Sequence, residues 1–143
     1  MILLDTDHAT HLRFPGERQG AGLLARLLAL PATETPAVPI VAVEEQMRGW
    51  LAVVSRERQF LRQAFGYREL QRLFEYYQDF EVVAFDAAAA ERGEALRQMH
   101  RRLGATDLKI AATALVHDAT LLSANLRDFG RISGLKVENW LNA

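Results

Sequence analysis

The chain of 143 residues is 50% hydrophobic and 24% charged, which is typical of a single folded domain, here 1–143, with its own core. Its formal net charge of −1 at pH 7 excludes a global attraction to nucleic acid or to an acidic membrane surface. The lack of cysteine excludes disulfides, thiolate nucleophiles, zinc–thiolate sites and iron–sulfur clusters. The sequence has no signal-like segment and no apolar stretch of membrane-spanning length, so we expect a cytoplasmic protein without membrane contacts.

The chain begins with a short apolar run, typical of a buried strand, that ends at Asp5. Ligands of an open parallel sheet bind beyond the carboxyl ends of its strands, so Asp5 is expected where chemistry takes place. A carboxylate directly after a buried strand also costs desolvation free energy unless it has a partner. We expect the next acid, Asp7, to cap a short helix over 8–13.

Helical and strand patterns alternate through the rest of the chain. The spacing of apolar residues predicts helices over 20–30, 42–65, 68–79, 87–103 and 107–117, strands over 38–41, 81–85, 120–123 and 135–137, and a turn or short helix over 126–132. Gly66 is expected to end the long helix, so that 42–79 forms a protruding helical hairpin. Asp86 and Thr106 are expected to be helix N-caps. This alternation predicts an α/β fold with a central, mostly parallel sheet flanked by helices.

Three acids, Asp5, Glu45 and Asp107, lie where an apolar segment meets the start of a helix. Hydrolysis of a phosphodiester needs a nucleophilic water and relief of charge on the phosphate, and Mg²⁺ or Mn²⁺ held by a few carboxylates supplies both. Separated acids without a histidine cage therefore indicate a small metal-dependent nuclease. Glu45 and Asp107 also fit a simpler role, because carboxylates in a first helical turn complement the helix dipole.

The histidines suggest a rival metal site, since His8 and His11 follow the first acids closely. A transition-metal site needs converging imidazoles, and His100 and His117 have no obvious partners. We therefore expect histidines at the surface or at helix ends.

Two further groups of residues fit more than one role. Arginines late in the helix before Asp107 fit either a solvated face or contact with an RNA backbone; they are Arg97, Arg101 and Arg102. The aromatic residues of the hairpin 42–79 fit core packing, and in part a groove for a partner segment.

Four ordered blocks resemble those of PIN-domain ribonucleases: LLDTDH (3–8), VEEQMRGW (43–50), TDLKIAA (106–112) and LSANLRDF (122–129). The closing GLKVENW (134–140) is similar to the tail of VapC-type toxins. The resemblance spans nearly the whole chain and implies a PIN-like fold. It also implies a Mg²⁺- or Mn²⁺-dependent endoribonuclease, the toxin of a VapBC pair, with a cognate VapB-like antitoxin and a homodimeric state.

The resemblance also implies the site residues. Asp5, Glu45 and Asp107 match the first three acids of the family, with Glu45 preferred over Glu44 because it precedes Gly49 by the family's spacing. Many PIN domains have an aspartate where this chain has Asn125, and the VapC-like pattern with asparagine keeps a nearby aspartate, here Asp128. We therefore expect Asp5 and Asp107 to bind the metal most directly. Glu45, with Asn125 or Asp128, is expected to complete the site, partly through waters.

Two other functions are compatible with the sequence. A catalytically degenerate PIN domain would act as an RNA- or protein-binding adaptor, against which the intact acids argue. Activity on structured DNA is less consistent with a chain that lacks large insertions and additional acids.

Overall fold

Five short strands form one parallel sheet at the centre of the protein. The structure is a computed structural model that describes residues 1–141, so the last two residues of the predicted domain lie outside it. The strands are β1 Ile2–Leu4, β2 Pro36–Pro39, β3 Glu81–Val83, β4 Thr120–Leu122 and β5 Lys136–Glu138. The helices are α1 Thr6–Leu12, α2 Arg18–Leu28, α3 Ile40–Arg56, α4 Phe60–Tyr77, α5 Ala87–Met99, α6 Ala105–Val116 and α7 Leu126–Phe129.

The strand order is β3-β2-β1-β4-β5, with β1 in the middle. Leu3 of β1 aligns with Ala37 on one side and with Leu121 on the other. Because all four pairs of neighbouring strands are parallel, their carboxyl ends meet at one edge of the sheet. The predicted α/β fold with a parallel sheet flanked by helices is confirmed.

Strand β1 and helix α6 contribute much of the core. All three residues of β1 are buried, as expected for a central strand covered on both faces. Helix α6 buries Leu108 and a run of small and branched side chains from Ile110 to Ala114, as its apolar pattern predicts. Among the described residues, no helix is both long enough and apolar enough to span a membrane.

The prediction of one helix over 42–65 is wrong. The chain leaves α3 at Glu57 and enters α4 after Gln59, and both residues have extended backbones. Gly66 does not end a helix but lies buried inside α4, where an added Cβ would lie 2.8 Å from Val54 Cγ2 of α3. The glycine therefore allows α3 and α4 to approach closely.

The structure also corrects two of the predicted helix caps. Asp5, not Asp7, caps α1 by accepting a hydrogen bond of 2.9 Å from the backbone N of His8. Helix α6 begins one residue before Thr106 and has Gly104 as its N-cap, so Thr106 lies within the first turn. The predicted cap of α5 is confirmed, since Asp86 accepts a hydrogen bond from Ala89 N at 3.0 Å.

Candidate active site

An acidic cleft of 220 Å³ lies at the carboxyl edge of the sheet. Four predicted site residues from separate parts of the chain line it: Asp5, Glu45, Asp107 and Asn125. The other lining residues are Thr6, Asp7, Ile110, Ser123 and Phe129. The fold thus brings together acids up to about a hundred positions apart in sequence, at the place where parallel sheets bind ligands.

Asp5 is held at the end of β1 by hydrogen bonds on its backbone and its side chain. Its backbone N donates to the Leu122 carbonyl at 3.0 Å, which continues the pairing of β1 with β4. Its side chain is only 13% exposed, and Oδ1 accepts from the backbone N of His8. The partner expected for an acid after a buried strand is therefore present.

Glu45 and Glu44 lie in the second turn of α3, not in its first turn as predicted for Glu45, and point in different directions. Glu45 is half-buried and lines the cleft, whereas Glu44 is exposed and forms an ion pair with Arg48. Adjacent residues on a helix lie about a quarter turn apart, so only one of them faces the cleft.

A hydrogen-bonded chain fixes α3 against α1 next to Glu45. The Tyr77 hydroxyl donates to Gln46 Oε1 at 2.5 Å, and Gln46 Nε2 donates to Thr10 Oγ1 at 2.7 Å. Thr10 Oγ1 in turn donates to the Thr6 carbonyl at 2.8 Å. Burial raises the pKa of Tyr77 to about 12, so the phenol keeps its proton at neutral pH. Sequence reasoning missed this chain, because no spacing rule links residues on three different helices.

Asp107 lies in the first turn of α6 and faces the other acids. Burial raises its pKa most, and the negative charges of Glu45 and Asp5 raise it further, with smaller contributions from Asp128 and Asp7. The carboxylates are thus close enough to repel one another, and a cation among them would relieve that repulsion.

Asn125 and Asp128 form one unit at the start of α7. Asn125 lines the cleft and donates through Nδ2 to Asp128 Oδ2 at 3.0 Å, whereas Asp128 itself is not among the lining residues. The buried Ser123 hydroxyl accepts a hydrogen bond from Asn125 N at 3.0 Å. The hydroxyl at this position therefore orients the turn that carries Asn125.

The donor set of the cleft fits a hard divalent cation. The three predicted metal ligands Asp5, Glu45 and Asp107 offer carboxylate oxygens to the cleft. The Thr6 hydroxyl oxygen beside them is buried without a hydrogen-bond partner, and it is the one such side-chain atom within residues 1–141. Over the same residues, no three acidic or histidine side chains lie close enough to form a complete metal site. This arrangement suits Mg²⁺, which keeps several waters and binds through one or two carboxylates.

The prediction of surface or capping histidines is wrong for His8 and right for two others. The His8 side chain is fully buried, and its ring nitrogens lie near Asp5 Oδ1 and Trp140 N. His100 and His117 are the C-cap residues of α5 and α6. The sequence gives no sign of the buried environment of His8, because Trp140 is distant in the chain.

Arginines form a basic hollow next to the elements that carry the acids. This basic hollow of 350 Å³ is lined by Arg101, Arg102 and Arg131 together with Gln98, Met99, His100 and Leu103. One wall, formed by 98–103, comes just before α6 in the chain, and the other, Arg131, comes just after α7. The third arginine singled out from the sequence, Arg97, lies outside the hollow and pairs with Glu94 at 3.7 Å.

Comparison with known proteins settles the family. The PIN domain family model matches residues 2–135. The chain belongs to the PIN domain family. Membership in this family implies a nuclease. The resemblance to PIN domains that the sequence blocks indicated is confirmed. No match was found among curated proteins.

Solved toxin–antitoxin structures share the fold over nearly their whole length. A toxin–antitoxin complex from Klebsiella pneumoniae is 28% identical, with a TM-score of 0.67 and 97% of both chains covered. VapBC2 from Rickettsia felis, bound to a promoter DNA fragment, is 24% identical, with a TM-score of 0.72, and covers 98% of this chain and 99% of its own. DNA-bound VapBC from Salmonella typhimurium is 20% identical, with a TM-score of 0.72 and 97% of both chains covered. The structural neighbours of this PIN domain are thus VapC components of VapBC complexes.

Proposed function

We propose that this PIN-domain protein is a metal-dependent endoribonuclease, the toxin of a VapBC-type toxin–antitoxin pair. The observation that carries the proposal is the convergence of Asp5, Glu45, Asp107 and Asn125 on one cleft. Such a set of oxygen donors at the carboxyl edge of a parallel sheet suits hydrolysis of a phosphodiester.

Each residue has a separate role in this proposal. Asp5 and Asp107 would bind Mg²⁺ or Mn²⁺ most directly, and Glu45 and Asn125 would complete the site, partly through waters. When bound, the ion supplies an activated water and neutralises charge on the phosphate. Asp128 acts through Asn125, to which it is hydrogen-bonded. The buried Ser123 hydroxyl holds the backbone of Asn125 in place.

The basic hollow supports a nucleic acid as the substrate class. In the described part of the chain, its arginines have no carboxylate partner; the arginine salt bridges involve Arg48, Arg62, Arg72 and Arg97 instead. Unpaired guanidinium groups bind phosphate oxygens well. Only a few residues separate Arg102 from Asp107, and Asp128 from Arg131, so the backbones of each pair lie at most about 20 Å apart. A nucleic-acid strand that lies in the cleft can therefore also reach the basic hollow.

Exposed apolar side chains support a cognate VapB-like antitoxin and a homodimer as partners. The structural neighbours are antitoxin–toxin complexes. Here, Phe60 and Leu61 at the start of α4 are 85% and 87% exposed. At the other end of the same helix, an apolar groove of 340 Å³ between α3 and α4 is lined by Met47, Phe74 and Tyr77, among others. Apolar surface of this extent is typical of protein interfaces.

Cleavage of total RNA by purified, antitoxin-free protein tests this function. The reaction is run with Mn²⁺, with Mg²⁺ and with EDTA, using the wild type and Asp5→Asn. A matched control is Asp118→Asn, which makes the same change at a residue that pairs with Lys136 and has a positive φ that asparagine tolerates. We expect discrete products that require the metal, disappear in Asp5→Asn and persist in Asp118→Asn.

Other outcomes would assign a different function. Folded protein that cuts no RNA, and whose melting temperature does not respond to Mn²⁺, would favour the adaptor alternative. Cleavage of structured DNA without cleavage of RNA would replace the proposed substrate. Light scattering from the isolated protein tests the homodimer separately, and a clean monomer would contradict it.

A further inference from the structure

The imidazole of His8 lies fully buried between the start of α1 and the segment that follows β5. Its Nδ1 lies 3.1 Å from Asp5 Oδ1, and its Nε2 lies 3.2 Å from the backbone N of Trp140. A backbone N–H can only donate, so Nε2 accepts this hydrogen bond and carries no proton. Nδ1 therefore carries the ring proton and donates it to Asp5.

Both hydrogen bonds to the Asp5 carboxylate fall on one oxygen. Oδ1 accepts from the His8 ring and from the His8 backbone N, while Oδ2 accepts none from any described residue. The ring itself is held by Trp140, whose indole Nε1 donates to Glu138 Oε2 at 2.7 Å and whose ring packs under the Arg26 guanidinium at 4.1 Å. A chain of contacts from the C-terminal segment thus fixes the rotation of the Asp5 carboxylate.

We propose that His8 is a positioning residue that holds Asp5 with Oδ2 left for a divalent cation in the cleft. This inference rests on the proposed function, because it requires Asp5 to be a metal ligand. A carboxylate already held in one orientation loses less conformational entropy when it binds an ion. Loss of such an orienting partner typically lowers metal affinity about 10- to 100-fold.

Two substitutions separate the two contacts of the ring. His8→Asn places an amide near the position of Nδ1, so it keeps a donor for Asp5 and loses the acceptor for Trp140. His8→Gln places its terminal amide near the position of Nε2, so it keeps the acceptor for Trp140 and loses the donor for Asp5. Mn²⁺ affinity is measured by electron paramagnetic resonance of the free ion, with circular dichroism to select folded protein.

We expect His8→Gln to weaken Mn²⁺ binding about tenfold or more and His8→Asn to stay close to the wild type. A role in anchoring the C-terminal segment alone would lower the melting temperature of metal-free His8→Asn, which loses the acceptor for Trp140, and would leave the Mn²⁺ affinity of both variants unchanged. Equal affinity in the wild type and His8→Gln would therefore overturn the positioning role while leaving the nuclease proposal intact. A wild type that binds no Mn²⁺ would overturn both.

A measurement on the unaltered protein does not depend on the folding of any variant. Nitrogen-15 spectra of the histidine rings report which ring nitrogen carries the proton. We expect a protonated Nδ1 at His8, and a change in its resonance when Mg²⁺ is added, with His117 at the far end of α6 as the unaffected control. A proton on Nε2 instead would overturn the proposal, because the ring could not donate to Asp5.

Discussion

Asn125 donates a hydrogen bond from Nδ2 to Asp128 Oδ2 at 3.0 Å, and this contact joins the two residues that compete for the fourth position of the acidic site. The Asn125 side chain also accepts a hydrogen bond from Asp128 N, which caps α7. Asn125 lines the cleft, whereas Asp128 is not among the lining residues. Asn125 and Asp128 therefore form one hydrogen-bonded unit, of which Asn125 is the member that lines the cleft.

Asn125→Asp should make the metal-free protein less stable and its response to metal larger. The substitution replaces the donated hydrogen bond by two carboxylates in contact, which repel each other and the acids in the cleft. A bound cation relieves that repulsion, and stabilisation by a ligand at 100 times its Kd is about 2.7 kcal/mol. We expect a lower melting temperature in EDTA and a larger rise with Mn²⁺ than for the wild type. An unchanged melting temperature in EDTA would contradict the close approach of these side chains.

Asp107→Asn should stabilise the metal-free protein near neutral pH. The pKa of Asp107 is raised above its ordinary value of 3.8 in the folded state, mainly by burial and then by Glu45. Between the unfolded and folded pKa values the folded protein binds more protons, so stability falls as pH rises through this window. At pH values above this window, Asp107 is ionised and destabilises the folded state by the full amount. Asparagine has no charge, so the substitution removes this destabilisation.

The measurement is the difference in melting temperature between Asp107→Asn and the wild type, in EDTA, from about pH 4 to about pH 7. We expect this difference to be positive at the upper end of the range and to shrink towards the lower end. Asp7→Asn is the matched control, because Asp7 also lines the cleft but is exposed and contributes least to the raised pKa of Asp107. A difference that does not vary with pH would contradict the repulsion among these acids.

The sheet and the acidic cleft could be predicted because they rest on local patterns. Short apolar runs that alternate with helical patterns predict a parallel sheet, and acids at the ends of those runs meet at one sheet edge. The position of Asp5 followed from this rule alone. The resemblance to PIN domains supplied Asn125 and distinguished Glu45 from Glu44, and the structure places Glu45 in the cleft and Glu44 at the surface.

Contacts between distant residues could not be predicted. Gly66 has the typical signal of a helix end, yet its role is to admit Val54 of the neighbouring helix. The buried His8 ring accepts a hydrogen bond from Trp140 N, which lies 132 positions away in the chain. No single-sequence pattern carries such a pairing, since periodicity reports only which face of an element is apolar.

Removal of arginines from the basic hollow should weaken RNA binding and its salt dependence together. Each phosphate bound on a single strand contributes about 0.7 to the slope of log K against log salt concentration. Two variants are compared with the parent protein: Arg131→Gln, and a double variant with Arg101→Gln and Arg102→Gln. We expect the slope to fall by about 0.7 for each phosphate that a variant no longer binds. Binding is measured in the Asp5→Asn background, so that RNA stays intact.

Arg18→Gln is the control for this experiment, because it removes the same charge from an exposed position at the start of α2. The control should leave the slope close to that of the parent protein. Equal slopes for the hollow variants and for Arg18→Gln would show that the hollow makes no specific contact with phosphates.

Gly20→Ala should destabilise the protein because Gly20 packs against the end of the preceding helix. A Cβ at this position would lie 2.2 Å from the Phe14 carbonyl oxygen and 2.4 Å from the His11 carbonyl oxygen. These are backbone atoms at the end of α1 and in the turn that joins it to α2, so the clash can be relieved only by moving the helices apart. Overpacking of this kind costs about 1–3 kcal/mol.

Gly22→Ala is the matched control in the same helix, where an added Cβ meets nothing within 4 Å. Alanine is favoured over glycine inside a helix by roughly 0.5–1 kcal/mol, so this variant should be slightly more stable than the wild type. Urea unfolding of both variants, followed by circular dichroism, measures the two changes in free energy. Opposite signs are expected, and a loss of stability in Gly22→Ala equal to that in Gly20→Ala would contradict the close packing of α2 on α1.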